Sequence, residues 1–186
     1  MFFFQASCLA RRPQGSVIRF STAHWQKYHN AQQGYSLGLP PELRTNFTRT
    51  REREEAAQSL MPFDYVNFSP RRPGIDQEPF ELGLGVHWNK YNMATRAFAD
   101  LKDVGVKESV RQYVTIRSFS VTVAGIEGVR DDFALEKDYG WTNYSRVIIP
   151  FENNFFCFLC ITGRDKAVPE YERVFQKIID GFEIKK

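Results

Sequence analysis

Near the end of the chain, Tyr171, Val174, Phe175, Ile178, Ile179 and Phe182 recur at i, i+3, i+4, i+7, i+8 and i+11, the spacing of one buried helical face. Pro169 sits at a first helical position, Glu170 and Glu172 fall in the first turn, and Asp180-Gly181 ends the run. Six large side chains at roughly 1.5–3 kcal/mol each dock such a helix firmly on a sheet. Phe182, Glu183 and Ile184 read as a short closing strand.

Upstream the period changes from 3.6 to 2. From Tyr113 to Ala124, Phe119, Val121 and Val123 share one face while Ser118, Ser120 and Thr122 share the other. After a turn at Gly125–Gly128, Asp132 to Lys137 predicts a second strand with Phe133 and Leu135 facing inward. Trp141–Ile149 and Asn154–Thr162 predict a hairpin, with Pro150, Asn153 and Asn154 supplying the turn chemistry. Its second strand is apolar on both faces, so it belongs in a sheet covered twice, or once by a helix and once by a partner. Tyr91 to Val104 carries Met93, Ala97, Phe98 and Leu101 at helical spacing, closed by Gly105. Between Gly85 and Val114 both helix and strand remain open.

The first half of the chain reads differently. Six of the chain's nine prolines (Pro40, Pro41, Pro62, Pro70, Pro73 and Pro79) lie between positions 40 and 79, which excludes a continuous helix or a central strand there. One short helix fits between Thr45 and Leu60. Its order of charges, Arg49, Arg51 and Arg53 before Glu54 and Glu55, opposes the helix dipole by about a few tenths of a kcal/mol per charge. Aromatics stud the segment: Trp25, Tyr28, Tyr35, Phe47, Phe63, Tyr65, Phe68 and Phe80. A solvated linker is depleted in such residues. Two readings stay open: the anchors fill pockets on another protein, or they pack back onto the same chain. For the first, the interface residues are Trp25, Tyr28, Tyr35, Phe47, Arg49, Arg51, Arg53, Phe63, Tyr65 and Phe68. The expected organisation is a leader over 1–20, an extended arm with a short helix over 21–80, and an α+β domain over 81–186. In that domain an antiparallel sheet packs against the C-terminal helix, preceded by the long irregular N-terminal arm.

From about Arg130 to Lys186, the antiparallel hairpin and the terminal helix ending FQKIIDGFEI resemble the PsbP-like family of extrinsic photosystem proteins. The resemblance covers under a third of the chain and contains no catalytic signature, and GVHWNKYNMATRAF upstream does not resemble the family's opening strands. It implies an α-β-α sandwich closed by the last helix, and an accessory protein of an energy-transducing membrane complex rather than an enzyme.

Composition sharpens the location more than the chemistry. The 186 residues are 42% hydrophobic and 15% aromatic, enough for a core. The longest apolar run, Phe155 to Ile161, is far short of the roughly 18–20 residues that cross a bilayer. Three cysteines do not make a disulfide framework. The net charge of +3 hides an asymmetry: residues 1–41 contain Arg11, Arg12, Arg19 and Lys27 and no carboxylate before Glu42. The beginning MFFFQASCLARRPQGSVIRFSTA mixes arginines, hydroxyl and apolar residues without acids, the composition of a mitochondrial transit peptide. Arg19, two residues before Ser21, fits processing near Ser21, and the matrix side of the inner membrane is the expected location.

Candidate chemistry is sparse. Cys157 and Cys160 have redox or metal spacing, but on a strand they project to opposite faces, so both read as buried hydrophobes. His24 and His29 have no nearby carboxylate to orient them, and His87 beside Trp88 reads as packing. Asp131, Asp132, Glu136 and Asp138, near Glu127, read as an acidic strand edge that deters pairing. Gly83 and Gly85 lack the third glycine and the lysine of a phosphate loop. No catalytic residue, metal site or cofactor is expected. The leading expectation is a non-catalytic accessory subunit of a mitochondrial inner-membrane complex, respiratory chain or ATP synthase, peripheral to the membrane and anchored by its arm to other subunits. The alternatives are a mitoribosomal or other RNA-binding protein, using Arg44, Arg49, Arg51, Arg53, Arg71 and Arg72, and a small-ligand binder or enzyme with an unrecognised site.

Overall fold

The computed structural model describes residues 15–71, 77–137 and 140–185. The alternating C-terminal half becomes a four-strand meander of β6 (Gln112–Val123), β7 (Ile126–Lys137), β8 (Gly140–Phe151) and β9 (Asn154–Arg164), each pairing antiparallel with the next. The C-terminal helix, α3 (Pro169–Asp180), starts at its proline and buries Tyr171, Val174, Phe175, Ile178 and Ile179. A two-residue strand, β10 (Glu183–Ile184), follows it. The fold is α+β, with an antiparallel sheet packed on the C-terminal helix.

Residues 21–80 differ from the extended arm expected of them. They hold β1 (Gln26–Asn30), β2 (Tyr35–Leu39), β3 (Leu43–Thr50), the helix α1 (Arg53–Gln58) and β4 (Asp64–Pro70). β4 pairs with β5 (Glu81–Trp88), so the boundary expected at 80/81 falls inside one sheet. The prolines explain the misreading: Pro40, Pro41 and Pro62 lie between strands and Pro70 ends β4, so none interrupts a strand interior. The expected helix shrinks to six residues because Leu43–Thr50 is an edge strand. Its alternation is hidden by a bulge between Thr45 and Phe47, which puts Asn46 outside the pairing register.

Seven strands hydrogen-bond in the order β3-β4-β5-β9-β8-β7-β6, and β1-β2-β10 form a separate small sheet. Glu81–Trp88 is thus strand, while α2 (Thr95–Lys107) is helix and carries Gly105 inside it rather than at its end. On one face of the large sheet, Leu82, Leu84, Phe156, Phe158 and Cys160 pack into one core with α3 and with Tyr35, Leu37 and Leu39 of β2. On the other face, α2 sets Phe98 and Ala99 on Ile148, Phe155 and Cys157. The layers are therefore α3 with the small sheet, the seven-stranded sheet, and α2. No described helix is long and apolar enough to cross a membrane.

The segment 15–20, expected to close a leader, lies against this body. The Ile18 N–H donates to Tyr171 Oη at 2.9 Å, and the Phe20 ring sits 4.8 Å from Phe80 and 5.9 Å from Tyr171. Residues 1–14 of the expected leader, together with Arg72, Pro73 and Asp138, lie outside the described residues.

Candidate functional site

Strand pairing sets a row of side chains across the face that α2 only partly covers. Phe47 stands opposite Asn67, Asn67 opposite Gly83, Gly83 opposite Leu159, and Leu159 opposite Arg146. In the neighbouring row on the same face, Arg49 stands opposite Tyr65 and Tyr65 opposite Gly85. α2 reaches β8, where it closes over Arg146. Beyond it, towards β3, the face is open: Phe47 is 50% exposed and Leu159 39%.

Glycine shapes this open half. A Cβ on Gly83 would stand 2.5 Å from Tyr65 Oη, so the missing side chain lets the Tyr65 ring lie across the sheet. The Phe47 and Tyr65 ring centroids are 6.4 Å apart at 52°. Asn67 Nδ2 donates to Glu81 Oε1 at 2.6 Å, fixing the floor of the patch. Burial first, and then the Glu81 charge, push the Tyr65 hydroxyl above its ordinary pKa, so it stays protonated, and its oxygen accepts from Asn67 Nδ2 at 3.4 Å. The result is an aromatic and aliphatic shelf, Phe47–Tyr65–Leu159, flanked by Arg44 and Arg49.

Of the aromatic and basic residues expected at an interface, the structure separates two groups. Tyr35, Phe63 and Phe68 are buried in the chain's own core, and Trp25 and Tyr28 pack partly against it. Tyr35 meets Phe156 edge-on, Tyr28 meets Phe68, and Lys177 Nζ stands 4.2 Å over the Trp25 ring. Arg53 lies 4.7 Å over Phe63, and Arg51 pairs with Glu55 at 3.8 Å. Phe47, Arg49 and Tyr65 remain on the open face. Leu159 joins them without having been chosen from the sequence, and Arg44 joins them from the arginines read there for the RNA-binding alternative. Leu159 sits within an apolar run that reads as uniformly buried, and only the position of α2 shows that one side of it is bare.

The acidic cluster is corrected. β7 is flanked by β6 and β8, so Asp131 and Asp132 do not lie at an edge; both are buried. Being adjacent on a strand, they project to opposite faces. Asp131 accepts from Arg146 Nη2 at 2.7 Å, from Ser118 Oγ at 2.6 Å and from Arg96. Burial alone would raise its pKa, but the Ser118 hydroxyl and Arg146 outweigh that and hold the carboxyl below the ordinary range. Asp132 pairs with Arg130 at 3.1 Å and with Arg117 on the α3 side. These are internal ion pairs that tie β6, β7, β8 and α2 together.

The remaining reactive groups are set for packing. Cys157 lies under α2 and Cys160 in the α3-side core, and burial pushes both thiols up. His87 is buried edge-on against Phe98, and burial with the nearby Lys102 charge pushes its pKa well down. A cavity of about 20 Å³ beside it, lined also by Ala56, Leu60 and Met93, has room for about one water. Among the described residues, no group of three or more His, Cys, Asp or Glu side chains is arranged to hold a metal ion.

The fold has relatives among solved structures. The solution structure of cyanobacterial PsbP (CyanoP) from Synechocystis is 13% identical with a TM-score of 0.59, covering 89% of this chain and 95% of that one. The Saccharomyces cerevisiae Ran-binding protein Mog1p is 7% identical with a TM-score of 0.58, covering 87% and 95%. LpqN of Mycobacterium tuberculosis, described as involved in cell envelope biogenesis, is 10% identical with a TM-score of 0.56, covering 88% and 91%. No family model matches the chain, and no curated protein does. The chain has the PsbP-like fold. The likeness extends over most of its length, well beyond the C-terminal part that carries it in the sequence.

Proposed function

We propose that this protein is a non-catalytic accessory subunit of a mitochondrial inner-membrane complex, of the respiratory chain or the ATP synthase, and that it docks through the open half of its sheet. The observation that carries the reading is the shelf itself. One strand set is sealed by α3 on one face and left bare on the other, with Phe47 and Leu159 exposed and Tyr65 between them. Rigid apolar side chains on a flat sheet, rimmed by charge, have the anatomy of a protein interface rather than of a cleft for a small substrate. A structural relative described as Ran-binding is consistent with protein recognition as a use of this fold. The acid-free leader directs the reading to mitochondria.

A second reading has an observation of its own. Aromatic rings on an open sheet beside Arg44 and Arg49 also suit the stacking of single-stranded RNA. Glu81, exposed among these side chains, disfavours a phosphate backbone there. The test is purification of the endogenously tagged protein in mild detergent, with mass spectrometry and RNA sequencing on one eluate. The docking reading expects inner-membrane subunits in the wild-type eluate and their loss with Phe47→Ser/Leu159→Ser. Ribosomal RNA with ribosomal proteins overturns it, and so does a variant that keeps the full set of partners.

A further inference from the structure

The bulge in β3 has a consequence for recognition. Arg44 and Arg49 are five positions apart, an odd spacing that sends side chains of a regular strand to opposite faces. Their partners on β4, Ser69 and Tyr65, are four apart, because Asn46 stands outside the register. Arg44, Phe47 and Arg49 therefore share the open face at even intervals, opposite Ser69, Asn67 and Tyr65. The two arginine Cα atoms are then about 14 Å apart along the strand, four steps of roughly 3.4 Å.

β3 is an end strand of the seven, with β4 as its single neighbour. No backbone hydrogen bond from another described segment reaches Arg44–Thr50 on the outer side. Such an edge is a template for one more strand. Its charge selects the occupant. Arg51 is engaged by Glu55 and Arg53 by the Phe63 ring, whereas among the described residues no carboxylate comes within ion-pair distance of Arg44 or Arg49. A second β3 would set arginine against arginine, so the edge disfavours its own copy.

We propose that the β3 edge accepts an extended partner segment of the pattern acidic–x–apolar–x–acidic as an eighth strand. The two carboxylates meet Arg44 and Arg49, the apolar side chain between them lies against Phe47, and the backbone completes the ladder. This rests on the docking reading above and specifies the chemistry of its partner.

The probe is a fluorescein-labelled heptapeptide, Ser-Glu-Thr-Leu-Thr-Glu-Ser, titrated with the full chain and followed by anisotropy. A strand offers alternate N–H groups to its neighbour. Two further peptides therefore carry backbone N-methyl groups, one on the threonines and the other on the Glu-Leu-Glu set. The proposal expects the unmodified peptide and one methylated peptide to bind, and the other methylated peptide to fail. It also expects Arg44→Glu/Arg49→Glu to weaken binding at least tenfold while circular dichroism and thermal midpoint stay as in wild type. Equal binding of both methylated peptides shows attraction by charge alone and overturns strand addition. Absence of binding by the unmodified peptide overturns it too, as does displacement of the peptide by oligouridylate with higher affinity. If the peptide fails while Phe47→Ser/Leu159→Ser still loses its partners in the tagged eluate, strand addition falls and the docking reading stands.

Discussion

The two faces of β5 set the two sides of the molecule against each other. Leu82, Leu84 and Val86 point to the α3 side and enter a core closed by a helix and a small sheet. Gly83 and Gly85 point to the other side, where the first lies beneath the Tyr65 ring. One eight-residue strand thus builds a sealed interior and the floor of an open shelf. The opposite face is covered by α2, over β6, β7, β8 and the Phe155–Cys157 end of β9, and by α1 with Pro62 over Gly85 and His87 of β5, and the covering stops before Leu159. Apolar surface left at the end of a cover in this way, beside arginines that no described carboxylate pairs, is what the docking proposal rests on.

Mutations should rank the two sides. On the sealed side, Phe158→Ala removes a ring with no solvent exposure and should cost about 3–5 kcal/mol in urea unfolding. Under α2, Asp131→Ala leaves the buried Arg146 with Asp103, at 2.8 Å, as its remaining carboxylate and should cost about 3 kcal/mol. The cost should shrink when Arg146→Met is added, because the buried charge that has lost one of its two carboxylates is then gone. Between the two lies His87. Burial and the Lys102 charge hold it neutral in the folded chain, while the unfolded chain takes up a proton near pH 6.5. Its contribution is complete above that pH and is lost as the pH falls towards the lowered folded value. This makes stability drop by up to about 1.4 kcal/mol per pH unit. Melting curves between pH 7.5 and 5 should therefore converge for His87→Gln and wild type as the pH falls. On the open side, Phe47→Ser and Leu159→Ser should each change stability by about 0.5 kcal/mol or less. A large loss of stability there would mean that the shelf belongs to the core and would remove the contrast between the faces.

Legibility in the sequence followed the same division. α3 could be read because six apolar residues keep one helical phase behind a proline, and β8 and β9 because their runs are long and the turn between them short. The β3–β4 pair could not. β3 is an end strand with seven exposed positions, its alternation is broken at Asn46, and prolines mark its surroundings as irregular. Aromatics that looked like anchors for a partner split by a criterion absent from the chain order: Tyr35 and Phe68 meet β9 and β1 across the fold, while Phe47 has β4 on one side only. Asp131 looked like an edge residue because its arginines are remote in sequence; Arg96 lies 35 residues before it and Arg146 lies 15 after it. The shelf needed the end point of α2, which no local pattern specifies.

The strand order also says how the chain must assemble in time. β3-β4-β5 is one meander of short-range pairings and β6-β7-β8-β9 is another, and the sheet becomes continuous through the single seam of β5 on β9. That seam joins Glu81 to Ile161 and Trp88 to Asn154, bridging loops of roughly 65–80 residues, whereas β6-β7-β8-β9 closes through short turns and β3-β4-β5 through the longer connections 51–63 and 71–80. Each half can form its pairings within its own stretch of chain, but the core beneath α3 draws on both and waits for the seam. The slow step of folding expected from this topology is the meeting of the two ribbons, before which β5 and β9 each present an apolar edge to any other chain nearby.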